Sequence, residues 1–216
     1  MKNRQIYFRN ASFAALFFVI LGYMVKFYPQ QLVGFDSNIQ TALRGDFPAL
    51  ATLFWTTITL LGNVTVLLPI CLVVAFFCYQ KKWKIESYFI LFSFVVMGGV
   101  STALKYVYQR PRPRIEWLIH TTGYSFPSWH AASTLMIAGV MVILIQQHMK
   151  SSPMRRLVQV GLVVLAMLVG ISRIYVGVHY PTDIIGGWLL ATVLLHLLFP
   201  FYDRLRFQWR FQGRQK

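Results

Sequence analysis

Acidic side chains are scarce: the 216 residues include six Asp and Glu, and charged residues of both signs make up 12% of the chain. A soluble domain of this length carries about 25%, so composition excludes an ordinary water-soluble globule. Cysteine is nearly absent as well. Cys71 and Cys78 lie in one apolar run, two helical turns and therefore about 10 Å apart, beyond the ~7 Å reach of a disulfide. They read as buried apolar side chains and say nothing of redox compartment. With so few carboxylates and no Cys/His cluster, the sequence offers no metal site and calls for no cofactor.

What the chain does have is apolar bulk. Hydrophobic residues are 56% and aromatic residues 16%, the latter suited to the headgroup level where Trp and Tyr anchor membrane proteins. A span needs roughly 20 mostly apolar residues, and six stretches meet that need: 11–28, 62–80, 85–106, 129–148, 157–176 and 182–201. The first follows a basic segment as a signal peptide would, but no small-x-small cleavage site follows it, so it reads as an uncleaved span. Residues 47–61 are too long to join the second span in one crossing and are expected to form a helix at the interface or over the bundle. The fold class is therefore all-α, an integral membrane bundle of six transmembrane helices. No repeat or linker divides residues 1–216, which read as one membrane-embedded domain.

The 21 Lys and Arg give a net charge of +15. In a soluble protein that excess would suggest nucleic acid, but here the cations cluster between apolar runs, and topology and anionic lipid account for them better. Fourteen lie on one side: Lys2, Arg4, Arg9, Lys81, Lys82, Lys84, Lys150, Arg155, Arg156, Arg204, Arg206, Arg210, Arg214 and Lys216. The positive-inside rule makes that side cytoplasmic, with both termini inside a plasma membrane. Of the other seven, Lys105, Arg110, Arg112, Arg114 and Arg173 crowd the outward ends of the third and fifth spans. Cations there oppose the topology rule, so they point to an anion-binding site on the extracytoplasmic face.

Three segments at the outward ends of the third to sixth spans carry the chemistry. The first runs from Lys105 to Arg114 and contains Arg112; the second is Tyr124-Ser125-Phe126-Pro127-Ser128-Trp129-His130; the third is Ser172-Arg173, then His179 to Asp183. Lys105, Arg112 and Arg173 supply charge and donors suited to phosphate oxygens. Ser128 stands at the N-cap position of the fourth span, where free N–H groups and the helix dipole also favour an anion. His130 lies in that first turn, placed to protonate a leaving group. Asp183, four residues beyond His179, can hold one imidazole nitrogen and free the other to attack. A His–Asp pair alone is usually only a satisfied polar pair; three such segments on one membrane face favour a site. His120, His148 and His196 fit no motif, His148 reading as a boundary residue and His196 as a packing residue. Tyr124 and Phe126 are candidates to line the entry of a lipid.

These segments resemble the three-part signature of the type 2 phosphatidic acid phosphatase superfamily, which also includes vanadium haloperoxidases and glucose-6-phosphatase. Its pattern is Lys, six residues, Arg-Pro; then Pro-Ser-Gly-His; then Ser-Arg, five residues, His and, after three more, Asp. Lys105 with Arg112-Pro113 fits the first part, and Ser172-Arg173, His179 and Asp183 fit the third. The resemblance implies a phosphohistidine formed on His179, orientation by Asp183, general acid catalysis by His130, and phosphate binding by Lys105, Arg112, Ser128, Trp129 and Arg173. It implies a metal-independent lipid phosphatase acting on undecaprenyl diphosphate, phosphatidylglycerophosphate or phosphatidic acid in a bacterial membrane. One departure stands out: Trp129 occupies the place of the family Gly. Trp keeps the backbone N–H, and its side chain is expected to turn toward lipid or a neighbouring helix.

Overall fold

A computed structural model describes residues 4–215. Lys2 and Lys216, counted above among the inward-side cations, lie outside the described residues. Eight helices follow one another with no strand among the described residues: α1 (Arg4–Phe27), α2 (Pro29–Arg44), α3 (Ala49–Leu60), α4 (Val64–Gln80), α5 (Lys84–Tyr108), α6 (Trp129–His148), α7 (Pro153–Tyr175) and α8 (Pro181–Phe211).

Five of these, α1, α5, α6, α7 and α8, are long and apolar enough to cross a membrane on their own. Helices α3 and α4 reach that length and apolarity only together, bent by 52° where they meet, as in a broken span or a re-entrant loop, so the described residues hold five or six candidate crossings. The break falls at Leu61-Gly62-Asn63, and α3 packs against α7. Cys71 and Cys78 are both free and buried on α4. α8 runs ten residues past the apolar limit read from the sequence, through Pro200, into its cationic end.

Helix α2 was not expected at all. Its buried face is Asp36, Gln40 and Arg44, spaced four apart, so a search for apolar periodicity passes over it.

The bundle is arranged around α8, which packs on α1, α5 and α6, while α6 also packs on α7. Close approach at the start of α8 depends on Gly187: a Cβ there would stand 2.8 Å from the Ser128 carbonyl oxygen and 3.0 Å from the Ala131 Cβ. The Ser128 N–H can therefore donate to the Asp183 carbonyl at 3.1 Å, stitching α8 to the start of α6. At the opposite end, buried Glu86 accepts from Arg206 at 2.6 Å and from Gln215 at 3.3 Å, and pairs with His148 at 3.0 Å. Trp83 stacks on the His148 ring, centroid to centroid 3.6 Å. Inside the bundle, His196 Nδ1 lies 2.9 Å from the Thr192 carbonyl, one turn back on its own helix.

Candidate active site

The C-termini of α5 and α7 and the N-termini of α6 and α8 meet at one end of the bundle. The connection between α5 and α6 carries the first two sequence segments there. Pro111 and Pro113 cannot continue a helix and hold their neighbours extended, so Arg110 and Arg112 leave a stiff backbone toward the turn between α7 and α8. Leu118 N–H donates to the Val176 carbonyl at 3.0 Å and Ser125 N–H to the Arg110 carbonyl at 2.9 Å, fixing the connection on that turn.

At the centre lies His179, 2% exposed. Its Nδ1 is 3.2 Å from Asp183 Oδ2, and its Nε2 is 3.3 Å from Arg112 Nη1. An ionised carboxylate can only accept, so the bond to Asp183 assigns the proton to Nδ1 and leaves the lone pair on Nε2. Burial, and after it the charges of Arg173, Arg112 and Lys105, hold the ring well below the usual imidazole pKa. These surroundings favour the neutral imidazole over the imidazolium. Asp183 is fully buried; it also accepts from the Tyr180 N–H at 2.9 Å and from Arg110 Nη1 at 2.7 Å.

Three cations surround the free nitrogen. Arg112 is splayed over the carbonyls of Gly123, Thr122 and Val178 at 2.8–2.9 Å. Arg173, 2% exposed, donates from Nη1 to the Thr59 hydroxyl at 2.8 Å and leaves Nε without a partner. Lys105 donates to the Tyr124 carbonyl at 2.5 Å. Among the described residues, no carboxylate pairs with any of the three. Arg173 is buried and the other two are half-buried, and positive charge drawn out of water without a paired anion is costly, so the cluster suits an anionic ligand.

Helix α6 supplies the rest. Ser128 sits at its N-cap position, as expected, but its side chain caps nothing: Oγ is fully buried and unpartnered. With the first-turn N–H groups of Trp129 and His130, it forms a donor array of the kind that suits an oxyanion. The Trp129 ring turns away from the site onto α5, 5.9 Å from Phe94 in an edge-on contact and beside Gly98. His130 stands near His179 and among the same three cations, Arg173, Arg112 and Lys105, with Nε2 2.9 Å from Asn63 Oδ1.

All eight residues singled out from the sequence thus gather at one end of the bundle. One expectation needs correcting. Phe126 does not line an entry: it is fully buried against Phe18 and Tyr108, because the close approach of α1 and α5 encloses it. Sequence reasoning counted Arg110 only among the outward cations and passed over Asp36, Thr59 and Asn63; Arg110, Thr59 and Asn63 bond to the residues above, and Asp36 bonds to Arg110. Asp36 left a usable signal: it is one of six acids in the chain, and it lies between predicted spans on the outward side.

The chain is similar to proteins of a known family. The chain is 32% identical to phosphatidylglycerophosphatase B of Bacillus subtilis over 154 residues, covering 70% of this chain and 75% of that protein. It is 31% identical to an undecaprenyl-diphosphatase of Sulfolobus acidocaldarius, covering 82% and 84% respectively. The crystal structure of a transmembrane PAP2-type phosphatidylglycerolphosphate phosphatase from Bacillus subtilis superposes with a TM-score of 0.82 at 28% identity, covering 91% of this chain and 97% of that one. The profile of the PAP2 superfamily matches residues 87–207, which hold every one of the eight site residues, and the chain belongs to that superfamily.

Proposed function

We propose the route by which this membrane lipid phosphatase works. His179 Nε2 attacks the phosphorus of a lipid phosphate or diphosphate whose oxygens rest on Lys105, Arg112, Arg173, Ser128 Oγ and the Trp129 backbone N–H. As the P–N bond forms, the P–O bond to the lipid breaks, and His130 delivers a proton to the departing oxygen. Asp183 keeps the Nδ1 proton in place and balances the positive charge that develops on the ring. Water, deprotonated by His130, then cleaves the phosphohistidine, releasing phosphate and restoring both rings. The observation that carries this reading is Nε2 of His179 beside three cations, none of them in a direct ion pair with a carboxylate among the described residues.

The site end is assigned to the extracytoplasmic face of a plasma membrane, with both termini cytoplasmic and the whole chain acting as one domain. The cation distribution supports that assignment. The named relatives support undecaprenyl diphosphate and phosphatidylglycerophosphate as substrates, with phosphatidic acid as the simplest phosphomonoester of the same class.

Purified protein should release inorganic phosphate from at least one of these three lipids, without an added acceptor and equally with or without chelator. Release only when a hydroxyl acceptor is supplied would show phosphotransfer, and binding without release would show a lipid-phosphate carrier. The Trp129 ring contributes packing on α5 rather than contact with phosphate. Trp129→Gly is accordingly expected to cost roughly 2–4 kcal/mol of stability, read by thermal unfolding in detergent. Turnover of the preferred lipid should stay within about threefold, and a changed order of preference among the lipids would instead give the ring a role in selectivity.

A further inference from the structure

The buried face of α2 is polar. Asp36, Gln40 and Arg44 are 2%, 7% and 8% exposed, and polar groups are buried at a cost that bonding must offset. Their bonds converge on the turn that carries His179. Asp36 Oδ1 accepts the Thr182 N–H at 3.0 Å, and Oδ2 accepts the Thr182 hydroxyl at 2.9 Å and Arg110 Nη2 at 2.7 Å. Gln40 donates to the carbonyl of His179 itself at 3.3 Å. Arg44 donates to the Glu116 carbonyl at 2.7 Å and lies over Gly177. Gly177 has φ +82°, and a Cβ there would run into the Arg44 guanidinium, so arginine and glycine fit each other.

We infer that α2 is the element that positions the nucleophile, with Asp36 and Gln40 as positioning residues acting through Arg110, Thr182 and the His179 backbone. The inference rests on the role proposed above for His179. Its physical basis is a chain of bonds. The Arg110 fork joins two buried carboxylates, Asp36 through Nη2 and Asp183 through Nη1, each at 2.7 Å. Asp183 in turn holds His179 Nδ1. With Asp36 ionised, the positive charge of Arg110 is shared. Without that charge Arg110 draws on Asp183 alone, weakening its hold on the imidazole and its support for positive charge developing there. Lys105, Ser128 and Arg173 make no hydrogen bond to α2 among the described residues, so phosphate binding is spared.

The test uses the full chain and the lipid that the wild type hydrolyses best. Asp36→Asn keeps an oxygen for the Thr182 N–H but sets an amide NH2, a donor, where Oδ2 accepted from Arg110 and the Thr182 hydroxyl, so it removes the charge and both of those bonds. Gln40→Met nearly conserves volume and removes only the donor to His179. The expected result for Asp36→Asn is a kcat reduced about 10–100-fold with KM within twofold. For Gln40→Met it is a kcat reduced about fivefold, again without a change in KM. Wild-type kcat in both variants, or a loss confined to KM, overturns the inference. Should Asp36→Asn fail to fold, Gln40→Met decides by the same split. The phosphohistidine route fails separately, if His179→Ala turns over or the wild type releases no phosphate. Inert His179→Ala beside unimpaired α2 variants removes the positioning role alone.

Discussion

His179→Ala is expected to release phosphate at least roughly 10,000-fold more slowly than the wild type, on every lipid that the wild type accepts. The proposed route has no substitute for the lost nitrogen. His130, bonded to Asn63, is committed to proton transfer, the Ser128 hydroxyl has no base assigned to it, and water attacking directly would lose the Asp183-supported transfer. The substitution removes a buried ring, so the protein must be shown to remain folded in detergent before the rate is read. Substrate binding should survive, since Lys105, Arg112, Arg173 and Ser128 remain. The intermediate supplies an independent readout: wild type quenched during turnover of a radiolabelled lipid should carry acid-labile, base-stable label, and His179→Ala should carry none. Phosphate release near the wild-type rate by purified His179→Ala would dismiss the route.

The second large effect concerns His130, and it should depend on what leaves. Proton transfer to a departing group contributes about 10²–10⁴-fold to rate, and the need for it grows with the basicity of that group. A phosphomonoester such as phosphatidic acid expels an alkoxide, which is strongly basic. A diphosphate expels a lipid phosphate, an anion already stable near neutral pH (second pKa about 6). His130→Ala should therefore cost toward 10⁴-fold on the monoester and nearer 10²-fold on the diphosphate. Equal losses on both would mean that His130 acts mainly in activating water or in placing the phosphate. Its position among the site's charges, in the first turn of α6 and bonded to Asn63, fits either step sterically. The ratio between substrates tells them apart.

The sequence made much of this legible for a simple reason: apolar length and cation placement report on spans directly, and phosphate chemistry demands few residue types. The apolar runs found α1, α5, α6, α7 and α8, and the three short segments marked residues that the folded chain gathers at one end. What stayed hidden was whatever depended on partners distant in sequence. Arg110 counted only as one of five outward cations, because its two carboxylates lie 73 and 74 residues away. Thr59 and Asn63 sit on either side of a helix break, and only the 52° bend turns them onto Arg173 and His130. Ser128 occupied the position expected of a capping residue, yet its hydroxyl is withheld from the helix. That distinction follows from packing against α8, which no local propensity encodes. Helix α2 escaped because burial normally selects apolar residues, and here it selects an acid, an amide and a guanidinium.

The single main-chain bond from Ser128 to Asp183 has a mechanical consequence. Transmembrane helices change their tilt when the surrounding hydrocarbon thickens or thins, and a reaction divided between two independently tilting rods would drift out of alignment. With amide joined to carbonyl where Gly187 lets the two backbones touch, the oxyanion cradle on α6 and the histidine–aspartate pair at the head of α8 lean together. The attacking nitrogen and the phosphorus can then keep their separation in thin and thick bilayers alike.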